Sequence, residues 1–203
     1  MLHSLLYANW EEPPERMAFE APYREILVRT RQTLARVLPG VAAALADPAT
    51  APAAFWEDCL DLYLLAPALV NVALNYKVCV EQGLPLHPTY YFEVSEKTRF
   101  QAIYPQAMAE RAQAFFLDSI AIARAVFALQ ANALARLDAF AAELPEAVPD
   151  FIYTSTQDKY TWRASEPRKI LELTDAIGKK VRPALILGAA HGSIMAGLLA
   201  ANL

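Results

Sequence analysis

A mainly α fold follows from three features of this 203-residue sequence. Apolar side chains recur near every 3.6 residues over long stretches, the composition is Ala-rich at 56% hydrophobic and 20% charged, and strand-like character is confined to two short runs. The expected organisation is an N-terminal helical domain over residues 1–145, a linker over 146–165, and over 166–203 the start of an incomplete α/β unit. A chain of this length can bury a proper core.

The first helix is expected over Arg16–Leu38. Ile26, Leu27, Thr30, Leu34, Val37 and Leu38 mark its inner face, and Pro39-Gly40 ends it. Two further helices, Pro52–Leu65 and Pro67–Glu81, are separated by Pro67, which should kink or split the run. Gln82–Tyr104 holds Gly83, Pro85 and Pro88 and reads as a loop with one extended segment, Tyr90–Val94. After Pro105 the pattern predicts one long helix, Gln106–Leu144. Phe116, Ile120, Ala123, Phe127, Gln130, Leu134 and Leu137 form a heptad-like seam along it, with apolar flanks at Phe115, Leu117, Ile122, Val126, Leu129 and Phe140. A helix greasy on more than one face must be wrapped by other helices or by a second subunit. Pro145, Pro149 and the polar run Tyr153–Ser165 mark the boundary. Beyond it come a helix over Glu166–Lys180, the apolar run Ala184–Leu187, and a helix-like segment Ile194–Leu203.

Charge and sulfur narrow the classes of function. A net charge of −4 argues against nucleic-acid binding, which needs clustered Lys and Arg. Residues 1–143 hold 11 basic and 16 acidic side chains, whereas residues 144–203 hold 7 and 6. An anionic ligand therefore finds a cationic surplus only near the C-terminus, at Arg163, Arg168, Lys169, Lys179, Lys180 and Arg182. Cys59 and Cys79 lie within apolar helical patterns and read as buried free thiols rather than as a disulfide framework. The first residues lack a basic and apolar leader, which points to a cytoplasmic protein. Ala184–Leu203 is uncharged and flanked by cations like a tail anchor, but its three glycines, His191, Ser193 and Asn202 argue against a membrane span.

Chemistry is sparse in the helical part. His3, His87 and His191 are the only histidines, no His-Glu-x-x-His or Glu-x-x-His pair occurs, and no Gly-x-Ser-x-Gly elbow is present. Asp58/Asp61 and Glu11/Glu12 read as solvated helix faces. The segment Gly188-Ala189-Ala190-His191-Gly192-Ser193 is different. Small residues between a strand and a helix start let backbone N–H groups turn toward a phosphate, with Ser193 able to cap the helix or donate its hydroxyl. His191, between the glycines, could hydrogen-bond a phosphate oxygen. The polar and aromatic run Thr154–Trp162 could form a lid over a nucleotide.

In this order of elements the C-terminal forty residues resemble type I phosphoribosyltransferases. Lys169–Lys180 would be the first helix, Pro183–Leu187 the strand, Gly188–Ser193 the pyrophosphate loop and Ile194–Asn202 the next helix. The resemblance implies binding of a phosphorylated sugar or nucleotide at a phosphoribosyl diphosphate site, with Mg²⁺ as metal partner. The later strand with two acidic residues and a Thr-Gly-type loop has no counterpart here. The expectation is therefore a domain cut short, which should not catalyse transfer by itself. The rival expectation is a non-enzymatic oligomerisation or scaffold module, a candidate homo-oligomer, using the Phe116–Leu137 seam.

Overall fold

The computed structural model describes residues 21–87, 101–152, 167–181 and 197–198, and these are mainly helical. In chain order the helices are α1 (Tyr23–Val37), α2 (Val41–Ala46), α3 (Ala53–Gln82), α4 (Gln106–Phe127), α5 (Ala133–Ala142) and α6 (Pro167–Lys180). Short 3₁₀ turns at Leu38–Gly40, Pro48–Thr50 and Val148–Asp150 join or follow them. Among the described residues there is no strand; Pro22 and Ile152 form one isolated antiparallel bridge. The α/β unit expected over 166–203 thus has only its first helix here, and the Pro183–Leu187 strand lies outside the described residues, as do Tyr90–Val94 and Tyr153–Ser165.

α3 is the hub. It packs most extensively against α4 and next against α1, while α5 lies against both α1 and α4. The inner face of α1 has the expected spacing: Tyr23, Ile26, Leu27, Thr30, Leu34 and Val37 are buried, with Thr33 beside them. Thr30 returns its hydroxyl to the Ile26 carbonyl at 2.7 Å, so a polar group is buried without an orphan donor. Tyr23 fixes the start of α1 twice. Its N–H donates to the Phe151 carbonyl at 2.8 Å and its buried hydroxyl donates to the Leu69 carbonyl at 3.1 Å.

α1 begins at Tyr23, after the extended Pro22, where the helix was expected from Arg16, and two boundaries further along the chain also differ. α3 runs unbroken through Pro67 from Ala53 to Gln82, where two helices were expected. An interior proline costs about 3 kcal/mol, while each fully buried large aliphatic side chain contributes about 1.5–3 kcal/mol. Leu62, Leu65, Leu69 and Val72, on both sides of Pro67, are buried at 2% exposure or less, so burial outweighs the lost N–H.

The second correction concerns the long helix Gln106–Leu144. It is two helices joined by a turn at 128–132, with no Gly or Pro to announce the break. Gln130 N–H donates to the Ala125 carbonyl at 3.0 Å and Leu129 N–H to Val126 at 3.0 Å, a Schellman closure with Leu129 in the left-handed region at φ 49°. The gain lies in the core. Folded back, α5 buries Ala133, Leu137 and Phe140, and Phe140 stacks on Phe115 with centroids 4.9 Å apart and planes 5° from parallel. Much of the core contact comes from the flank residues Phe115, Ile122, Val126, Leu129 and Phe140. Of the seam, Ala123, Phe127 and Leu137 are buried, Phe116, Ile120 and Leu134 are half-buried, and Gln130 is exposed.

Gly83 ends α3 at φ 68°, and its carbonyl accepts from Ala102 N–H at 2.7 Å. A Cβ there would stand 2.6 Å from the Ala102 carbonyl oxygen. Gly83→Ala is therefore expected to destabilise the fold by about 2 kcal/mol or more, from the left-handed backbone and the backbone clash together. Chemical denaturation checks this, and an unchanged midpoint would contradict it.

Candidate functional site

A concavity with a volume near 690 Å³ lies between the antiparallel α4 and α5. Its floor is the Phe115–Phe140 stack with Ile122, and its rim holds Arg111, Asp118, Arg136 and Glu143. Ala114, Ala121, Ala139 and Ala142 line the rest of it with small side chains. Two cations face two anions, so the rim has no net sign with which to select a charged ligand. The lining offers no His, Cys, Ser, Thr, Tyr or Lys as nucleophile or base. The groove can receive a flat or aliphatic group, with the Asp118 and Glu143 carboxylates and the Arg111 and Arg136 guanidiniums at its rim.

The residues singled out in the sequence fall into three sets. Gly188, Ala189, Ala190, His191, Gly192 and Ser193 lie outside the described residues, together with Arg163, Arg182 and the Thr154–Trp162 run. Lys169, Lys179 and Lys180 stand exposed on α6. Lys179 pairs with Asp175 at 2.5 Å and Arg168 with Glu172 at 2.8 Å, both one helical turn apart. The last-turn lysines also suit the negative end of the helix dipole.

The third set belongs to the core. Asp58 is not a merely solvated carboxylate: it receives Arg36 through both oxygens, at 2.6 and 2.9 Å, tying α1 to α3. Cys59 and Cys79 are buried free thiols. Burial pushes the Cys59 thiol up to about 12, with the nearby Asp58 charge adding to it, and pushes Cys79 up to about 11. Asn75 is buried beside Cys79, whose thiol donates weakly to Asn75 Oδ1 at 3.8 Å. These thiols stay protonated and shielded, which is the opposite of what a nucleophile requires.

Among the described residues no group of three or more His, Cys, Asp or Glu side chains could hold a metal ion. The Mg²⁺ implied by the resemblance therefore finds no ligand set there, and the loop expected to hold its pyrophosphate lies outside them. Among the described residues one helix, α3, is long and apolar enough to cross a membrane, and 78% of its most apolar window is buried against the rest of the protein. No family model, no curated protein and no solved structure matches this chain.

The raised thiols have a thermodynamic consequence. Their folded values lie above the ordinary 9.0, so the folded chain holds these protons more tightly than the unfolded chain does. Their contribution is complete below pH 9.0 and is lost as pH rises from there toward 11 and 12. Unfolding free energy measured against pH should fall across that window, and Cys59→Ala with Cys79→Ala should flatten the fall. An equally steep fall in the double variant would show that other groups cause it.

Proposed function

We infer that this chain joins a non-catalytic helical scaffold to a phosphate-binding segment, and that Gly188–Ser193 receives the pyrophosphate of a phosphoribosyl diphosphate or of a nucleotide. The observation that supports this reading is the outer face of α6. Leu173, Ile177 and Val181, one turn apart, are 60%, 37% and 70% exposed, while only Pro167 and Ile170 of this helix are buried. A helix with an uncovered apolar stripe is built to lie on another layer, and in an α/β unit that layer is a sheet. The stripe ends immediately before Pro183–Leu187, the run read as the strand that delivers the loop.

In this reading the helical part positions and the loop binds. Backbone amides of Ala189–Ser193 would face the pyrophosphate oxygens, where small side chains leave them accessible. His191 would add one donor. Mg²⁺, when bound with the ligand, supplies neutralisation of the pyrophosphate charge. No residue of the α4–α5 groove takes part.

Calorimetric titration with pyrophosphate and Mg²⁺ tests this on the full chain. Saturable binding is expected, weakened more than tenfold by Gly192→Val, with the thermal midpoint of the helical part unchanged. Heat only of dilution at millimolar pyrophosphate would end the reading.

A second reading is favoured by a separate observation: α1 to α5 build the core around α3, and α6 adds only Ile170 to it. On that reading the helical part is itself the functional unit, a non-enzymatic oligomerisation or scaffold module drawing on Phe116–Leu137.

A further inference from the structure

The turn between α4 and α5 is at odds with its own sequence. From Gln106 to Leu144 there is neither Gly nor Pro, and the connecting residues Ala128-Leu129-Gln130-Ala131-Asn132 include good helix formers. Closing the turn forces Leu129 to φ 49°, a conformation that L residues other than Gly and Asn seldom adopt. The heptad-like spacing from Phe116 to Leu137 runs through the turn without a phase change, with Gln130 in the middle. Propensity along the sequence favours a straight helix, and the bend is held by the Schellman closure together with the tertiary contacts of α5.

Those contacts do not depend on which copy supplies them. α5 docks on α1 through Arg31, whose Nε and Nη2 donate to Asp138 at 2.6 and 3.3 Å. It docks on α4 through the Phe115–Phe140 stack. We propose that the α4–α5 turn is an exchange hinge: two copies of this chain open it into one helix from Gln106 to Ala142 and trade α5, each seating it on α1 and α4 of the other. Exchange keeps the Arg31–Asp138 pair and the Phe115–Phe140 stack, relieves the left-handed Leu129 backbone and replaces the turn's hydrogen bonds at 128–132 with helical ones. Short strained hinges between packed elements favour such exchange. This is independent of the pyrophosphate reading, since no residue of 188–193 enters it.

The test uses the full chain carrying Arg31→Cys and Asp138→Cys, refolded at high concentration and treated with a bis-maleimide. Buried Cys59 and Cys79 are shielded from the reagent. In exchanged dimers residues 31 and 138 meet across two chains, so the product runs at twice the chain mass in denaturing electrophoresis. Light scattering of the untreated wild-type chain should show a concentration-dependent dimer. Gln130→Gly with Ala131→Gly, at exposed positions outside both helices, should weaken the straight helix about tenfold per chain, hence the dimer constant on the order of a hundredfold. Deleting Leu129–Asn132, which leaves too little chain to turn back, should raise the dimer fraction. A wild-type chain that stays monomeric at every concentration would overturn the proposal. So would a dimer whose cross-link stays within one chain, because that dimer is not exchanged.

Discussion

A 30-residue helix without a polar face cannot exist in water unless other elements surround it, and α3 imposes that requirement on the rest of this chain. Its buried residues include every position from Leu62 to Val70, more than two full turns with no solvated side. α1 and α4 cover it, and α5 closes over the seam between those two. Pro67 is tolerated for the same reason: wrapped on all sides, the helix has no alternative path in which its apolar residues would be equally well buried.

The remaining features arrange that wrapping. α1 works as a lacing strip, with Arg24, Arg31 and Arg36 reaching Asp150, Asp138 and Asp58 on three different elements. Exposed pairs of this kind contribute little to stability, and their value here is in register: each fixes where a neighbour sits along α1. The buried anchors are Tyr23, bonded at its N–H and at its hydroxyl, and the aromatic contacts Tyr63–Phe127 at 5.8 Å and Tyr76–Phe115 at 6.1 Å. At Leu129, as at Pro67, local backbone preference yields to this core.

Periodicity made the helices legible, and with them the inner face of α1, the loop signal at Gly83 and the helix before Lys180. It misjudged Pro67 and the 128–132 turn for a common reason. Both are decided by what surrounds the segment, and a pattern read along one helix contains no information about its neighbours. The heptad-like spacing was a true feature of α4 and α5. Yet Phe115, Ile122 and Phe140, which read as flanks, became the groove floor once the helix doubled back. Nothing in the sequence marks that groove, because its lining consists of ordinary core and rim residues. The phosphate-loop reading rests on small residues at 188–193, and α6 bears on it only through its uncovered stripe.

The protein thus reads as a core built around one helix, to which α6 adds Ile170 while its outer stripe stays exposed. Native-state hydrogen exchange tests the central claim, that α3 is a single cooperative element. Amides on both sides of Pro67, from Leu62 to Ala66 and from Leu69 to Val80, should exchange with one common free energy, the highest in the chain, while those of α6 exchange well below it. Two distinct opening free energies for the halves of α3 would show that the helix is split at Pro67 after all, and that the core is organised around something else.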